Sequence, residues 1–273
     1  MVPTEIETAS EQDTERSFAS VDLMGVAVHA ISEDDCVDHI INCARRGQGG
    51  WVVTPNLDHL RRIVQQPGFR ELCNHATLRV ADGMPLVWAS RIGGTPLPER
   101  VAGSNLVFSL TRAASRADVS ISFVGGNPGT AERAAAVLQR RFPALDVRGT
   151  HCPAPGFESD PVRLRELGAA LRAESPGLVY VALGSPKQEQ VIDRIRGALP
   201  HAWWLGVGIS FSFVAGEVRR APRLLQIVGL EWLHRLAQEP RRLARRYLLQ
   251  GLPFAAQLLL ASLHRRFTAL ARA

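Results

Sequence analysis

Four cysteines in 273 residues, Cys36, Cys43, Cys73 and Cys152, form no C-x-x-C pair and have no histidine at zinc-finger spacing. Neither a structural zinc site nor a disulfide framework is therefore indicated, and a reducing cytoplasm fits best. The chain has no G-x-G-x-x-G dinucleotide fingerprint, no G-K-[ST] ending of a P-loop and no Asp-x-Asp metal motif in a suitable loop. Internal repeats and low-complexity tracts are missing as well. Lysine is nearly absent, Lys187 being the only one among 32 basic residues. The longest apolar stretch, residues 247–263, holds two glutamines and Pro253 and falls short of the about 20 residues of a spanning helix. Residues 1–20 lack the basic start and apolar run of a secretory signal, and read as a polar, disordered tail.

What is present suits a chain that buries a full core, with 46% apolar and 21% charged residues. The net charge of +6 is uneven: residues 215–273 hold eleven arginines and three glutamates, a surplus of eight, which leaves −2 for the remainder. Short runs rich in Val, Leu, Ile and aromatics recur, each followed by a Gly, Pro or Asn turn and then a helical pattern. The clearest are WVV, TLRVA, VSISFVGG, LVYVALG and AWWLGVG. This predicts an α/β fold with a mostly parallel sheet flanked by helices. From about residue 215 the text turns to Arg-rich helix with no further strand. The expected division is a tail over 1–20, an α/β domain over 21–214 and a C-terminal helical appendage over 215–273.

In such sheets ligands collect where strands end and helices begin, because helix N-termini offer free N–H groups and a partial positive charge. The loop GGNPGT places Gly125, Gly126, Asn127 and Gly129 there, able to approach a phosphate closely or simply to form a tight turn with Thr130 as N-cap. Asp82, in VADGMP, reads as a rim carboxylate that accepts a proton, or as a cap for the helix starting near Met84. Thr54 followed by Pro55 reads as an N-cap, which leaves Asn56 unexplained by capping alone. GSPKQEQ matches a capping box with Ser185 at the cap and Gln188 at the third position, while Lys187 is either solvated or aimed at a phosphate or sugar oxygen.

At the C-terminal end, Arg220 and the run containing Arg241, Arg242, Arg245 and Arg246 offer guanidinium forks suited to diphosphate oxygens, or else a solvated face. No base-stacking aromatic pattern or DNA-binding motif accompanies them, so nucleic acid is not an expected partner. The apolar stretch 247–263 is bracketed by Arg245 and Arg246 and by Arg265 and Arg266. It suits an anionic membrane surface, or packs on the domain or on another subunit. Exposed apolar surface there also favours a homo-oligomer.

The stretches TPNLDHL, VADGMPLVWASRIGGTPLPERVAG, FVGGNPGTAERA, LGSPKQEQVI, GVGISFSFVAGEVRRAP and GLEWLHRLAQEPRRLARRY, in this order, resemble the WecG/TagA/CpsF glycosyltransferases over about residues 21–250. The resemblance implies a Rossmann-like α/β domain with a C-terminal appendage, and an inverting enzyme with no metal or cofactor, transferring a sugar such as N-acetylmannosamine or its uronic acid. The donor would be a UDP-sugar and the acceptor an undecaprenyl-pyrophosphate-linked saccharide at the inner face of the cytoplasmic membrane. It implies Asp82 as the base and Thr54 and Asn56 as active-site polar groups. Gln188 is then a sugar or nucleotide contact, and the arginines of RRAP and EPRR meet diphosphate when the appendage closes. Two departures stand out: Pro85, where many members have Gly, and Phe211-Ser212-Phe213, where many read F-D-F and a carboxylate is missing. Two other readings stay open, a non-catalytic membrane-docked scaffold and a nucleotide-dependent oxidoreductase.

Overall fold

The computed structural model describes residues 18–227 and 229–271. A hairpin, β1 (Ser20–Asp22) and β2 (Ala27–His29), precedes α1 (Glu33–Arg45). Then β3 (Gly50–Val53) leads into α2 (Leu57–Gln65) and α3 (Pro67–Asn74), and β4 (Leu78–Arg79) into α4 (Met84–Ile92) and α5 (Gly103–Arg116). Next come β5 (Ile121–Gly125), α6 (Thr130–Arg141), β6 (Val147–His151) and α7 (Pro161–Glu174). The last units are β7 (Leu178–Ala182) with α8 (Lys187–Ile195) and β8 (Trp203–Gly206) with α9 (Ser210–Val214). Strands β3 to β8 form one sheet in the order β4-β3-β8-β7-β5-β6, every neighbouring pair parallel.

Every residue of β5 and β7 is buried because helices cover both faces of the sheet. Alternation along the strands sorts their side chains into two cores. Trp51, Val53, Val179, Val181 and Trp204 face one side, and Val52, Phe123, Tyr180, Trp203 and Leu205 the other. All five expected strands are present, and the Rossmann-like α/β expectation holds. The hairpin and β6 were not expected: β6 is an edge strand, VRGTH, with no apolar run to announce it. Most of the expected tail lies outside the described residues, but its end does not, since Ser20 begins β1 and Phe18 packs edge-on against His39 at 5.2 Å.

The chain leaves β5 toward β6 on one side and β7 toward β8 on the other. The loops after β5 and β7 therefore diverge, the topology at which open α/β sheets form a ligand crevice beyond the strand ends. Over this rim runs the C-terminal segment, as α10 (Arg223–Ile227), α11 (Glu231–Gln238), α12 (Pro240–Ala244), a π-helical turn (Arg245–Gly251) and α13 (Leu252–Leu270). Pro253 does not break α13. It stands in the first helical turn, directly after the wider π turn, where a missing N–H costs little.

Helix α13 lies along α4, and the π turn against α2. Phe254 and Leu258, one turn apart, enter the same core as Leu60, Leu86 and Trp204. Its opposite side leaves Leu252, Leu260, Leu263 and Phe267 exposed. Helix α13 is thus part of the core and also presents apolar surface outward, whereas α10 and α11 bury no residue. None of the described helices is long and apolar enough to cross a membrane.

Candidate active site

Three loops meet at Asp82. Its own N–H donates to Pro55 O at 2.9 Å, and Val101 N–H to Ala81 O at 2.8 Å, so the ends of β3 and β4 and the start of α5 are stitched together. The Asp82 side chain does not cap α4, whose N-cap is Gly83 without a side-chain bond. Instead Oδ2 accepts from the Gly103 N–H at 3.3 Å, at the first residue of α5. Thr54 is buried against the same point, its Oγ1 standing 3.0 Å from where a β-carbon on Gly103 would lie. Asn56 is the neighbour on the other side: its Cα is 3.8 Å from the place of a Gly83 β-carbon. Thr54, Asn56 and Asp82, proposed from two motifs, therefore form one cluster.

The capping roles differ from expectation. Asn56, not Thr54, caps α2, accepting from His59 N–H at 3.1 Å. Pro55 precedes the cap and holds Thr54 and Asn56 apart, so Thr54 is the residue that capping does not explain.

Above Asp82 the appendage supplies a carboxylate between two guanidiniums. Glu231 of α11 accepts from Arg100 Nη1 at 3.1 Å and from Arg220 Nε at 3.2 Å. Burial pushes the Asp82 carboxyl above the ordinary carboxylate range. Arg100 pulls it back, the Glu231 charge pushes it further up, and the Gly103 amide and Arg220 pull it down again. A rim carboxylate held this way is a stronger base than an exposed one, once ionised. Among the described residues Arg220 Nη2 is buried with no hydrogen-bond partner, which leaves a donor for an anion. Arg100 and Glu231 escaped the sequence reading; both lie within stretches that carry the family resemblance, PER and GLEW, but nothing local marks them.

The glycine loop after β5 has Gly125, Gly126 and Gly129 all at positive φ, between 77° and 91°. Gly125 must also lack a side chain, because a β-carbon there would stand 2.6 Å from Ala182 O. Thr130 is the first residue of α6 and not its cap: Gly129 is the cap, with no side-chain bond. The Thr130 N–H donates to Asn127 O at 2.9 Å, the first turn of α6 has no side-chain cap, and Asn127 is exposed beside it. The Thr130 hydroxyl instead donates to Glu217 Oε1 at 2.8 Å, and Arg133 folds back to pair with the same oxygen. Ser212 donates to the other oxygen of Glu217 at 2.9 Å. The carboxylate missing at position 212 is therefore supplied at its side by Glu217, held below its usual range first by Arg133 and then by Thr130.

The loop after β7 is built differently from the expected capping box. The Ser185–Pro186 bond is cis, and α8 is capped by Pro186 with no side-chain bond. Gln188 is buried and turned away from the helix start. Its Oε1 accepts from Gly208 N–H at 3.0 Å and its Nε2 donates to Glu189 Oε1 at 2.8 Å, in space that a β-carbon on Gly206 would fill. Glu189 pairs with His59 at 3.3 Å beneath the rim. Lys187 is neither solvated alone nor aimed at the crevice: it pairs with Glu158.

Among the C-terminal arginines, Arg220 alone joins the Asp82 cluster. Arg242 pairs with Glu239, Arg246 turns inward to Asp58 at 3.0 Å, and Arg241 and Arg245 are exposed. The bracketing Arg265 is used internally, donating to Thr95 Oγ1 at 2.6 Å and to Asp22 O.

A family model described as "Glycosyl transferase WecG/TagA/CpsF family" matches residues 21–268. The chain is 31% identical over 200 residues to an N-acetylglucosaminyldiphosphoundecaprenol N-acetyl-beta-D-mannosaminyltransferase of Bacillus spizizenii, a match covering 73% of this chain and 76% of that protein.

Proposed function

Because the chain belongs to the WecG/TagA/CpsF glycosyltransferase family, we propose that it transfers N-acetylmannosamine, its uronic acid or a related hexose from a UDP-sugar to an undecaprenyl-diphosphate-linked saccharide. The name of the Bacillus relative supports the sugar and the acceptor class. The observation that carries the mechanism is Asp82 itself, a half-buried rim carboxylate with Arg100 and Arg220 beside it.

In this reading Asp82 takes the proton of an acceptor hydroxyl as that oxygen bonds to the anomeric carbon of the donor. The bond from the anomeric carbon to the diphosphate breaks on the opposite face, and its electron pair leaves with the nucleoside diphosphate. One displacement inverts the configuration. Thr54 and Asn56 fix the loops around the base, and the glycine loop with the N-terminus of α6 cradles the donor phosphates. Arg220, with Arg241, Arg242 and Arg245 brought in by movement of the appendage, neutralises the departing charge, so no divalent ion is required. Gln188 acts by holding the Gly206–Gly208 turn beneath the crevice, and Lys187 by fixing the loop that carries Glu158.

The acceptor places the reaction at a membrane. Of the thirteen large apolar side chains that stand exposed among the described residues, eleven lie between Leu224 and Leu270. They share that segment with most of the chain's positive surplus, a combination suited to peripheral binding on an anionic cytoplasmic leaflet. The same surface would serve contacts between copies of the chain. Glu217 weakens the case for a non-catalytic scaffold, since a carboxylate stands beside Ser212 after all.

The test is transfer from UDP-N-acetylmannosamine to a short-chain polyprenyl diphosphate bearing N-acetylglucosamine, with EDTA present. Acceptor-dependent release of UDP is expected; no release from a panel of UDP-sugars would overturn the reading.

A further inference from the structure

Three guanidinium groups gather on Asp58, away from the chemistry at Asp82. Arg61 Nη2 lies 2.8 Å from Asp58 Oδ1, and Arg62 Nη2 and Arg246 Nε lie 3.1 Å and 3.0 Å from Oδ2. The first two come from α2 and the third from the π-helical turn, so the cluster fills the seam between the α/β domain and its appendage. One carboxylate among three cations leaves a surplus of two positive charges on side chains only 15%, 20% and 36% exposed. Among the described residues Arg61 Nε and Arg246 Nε are both buried without a hydrogen-bond partner, the second although it lies at ion-pair distance from Asp58. An excess of charge partly withdrawn from water is stabilised by an anion.

The surroundings narrow the choice of anion. On one side, Arg62 Nη1 donates to Ser185 O at 3.1 Å in the rim loop after β7. Asp58 itself lies two residues from Asn56, which borders the Asp82 cluster. On the other side, Arg61 Nη2 reaches Gln250 Oε1 at 3.2 Å, and the flanking Leu249 and Leu252 are 72% and 51% exposed. From the rim outward the order is base, cations, apolar strip. A lipid-linked diphospho-sugar has the same order: hydroxyl, diphosphate, hydrocarbon.

We infer that Arg61, Arg62 and Arg246 bind the diphosphate of the lipid-linked acceptor, at a site distinct from the glycine loop that cradles the donor. The inference rests on the transferase reading for the identity of the acceptor. Asp58 holds the three forks in place, and guanidinium forks pair with phosphate oxygens in the bidentate geometry that an ammonium cannot provide.

Calorimetry on the full chain tests this with farnesyl diphosphate as probe, beside inorganic pyrophosphate and phosphatidylglycerol vesicles. Farnesyl diphosphate should bind more tightly than pyrophosphate; equal affinity would contradict the apolar strip and with it a lipid-linked ligand. The double variant Arg61→Gln/Arg62→Gln should lose farnesyl diphosphate affinity by about tenfold or more, the loss expected for charge-assisted hydrogen bonds, while its vesicle binding stays the same. Unchanged farnesyl diphosphate affinity, or a parallel loss of vesicle binding, would overturn the proposal. Should the double variant unfold on heating below the assay temperature, Arg246→Gln, which leaves Asp58 with both α2 partners, is judged by the same criteria. No donor or turnover enters these titrations, so a chain that binds through the cluster but transfers nothing would sink the transferase reading and not this site.

Discussion

Replacing Asp82 by asparagine should lower turnover by about 10²- to 10⁴-fold, the usual contribution of a positioned general base, and leave the melting temperature at neutral pH equal or higher. The activity loss follows from removing the only acceptor for the hydroxyl proton in the cluster of Thr54, Asn56 and Asp82. The stability gain follows from linkage. Burial raises the folded-state pKa of this carboxyl above its unfolded value, so its contribution to stability is full below the unfolded pKa and is lost as pH rises through the folded one. At neutral pH the ionised group is therefore held at a cost, and asparagine removes that cost while its amide oxygen still accepts the Gly103 N–H. Kinetics with saturating substrates and a melting curve at two pH values check both halves. An active variant would mean another base, and an inactive variant with a collapsed melting temperature would mean that Asp82 holds the fold.

Arg100→Gln should cut kcat/KM by about 10²-fold, the scale on which removal of one electrostatic stabiliser is felt, and move the acid limb of the pH profile upward. Of the charges around Asp82, Arg100 pulls its carboxyl down most strongly. Without it, burial and Glu231 push the carboxyl higher, and less of the enzyme carries an ionised base at a given pH. The sign can be checked internally. Glu231→Gln removes a charge that pushes Asp82 up and should move the same limb downward. Limbs that stay in place in both variants would separate these groups from the base.

Much of the framework was legible because it depends on local pattern. A parallel strand covered on both faces is apolar throughout, so the runs containing Trp51, Phe123, Tyr180 and Trp204 could be read as strands, and the turns after them as the rim. The β6 edge strand escaped because partial exposure leaves Arg148 and Thr150 in a sequence with no run to detect. Capping was misread at three helices. Thr54, Thr130 and Ser185 are all chemically suited to cap, but Thr130 bonds Glu217 from a loop far along the chain, and the other two helices take their caps further on, two residues later at Asn56 and one residue later at Pro186. Asp82 was found because its motif sits on the rim; the residues that tune it were not. Arg100 and Glu231 are separated by 131 positions, and only the path of the appendage over the sheet brings them together. Arg265 shows the converse, a residue whose sequence neighbours suggest a membrane boundary but whose side chain ties α13 to Thr95 and Asp22.

The central claim is that one carboxylate performs a single displacement, and the anomeric configuration of the product reports on it most directly. With a UDP-sugar of α configuration, nuclear magnetic resonance of the glycosylated lipid diphosphate should show a β linkage throughout. An α linkage would mean retention of configuration, which a single in-line displacement assisted by Asp82 cannot give.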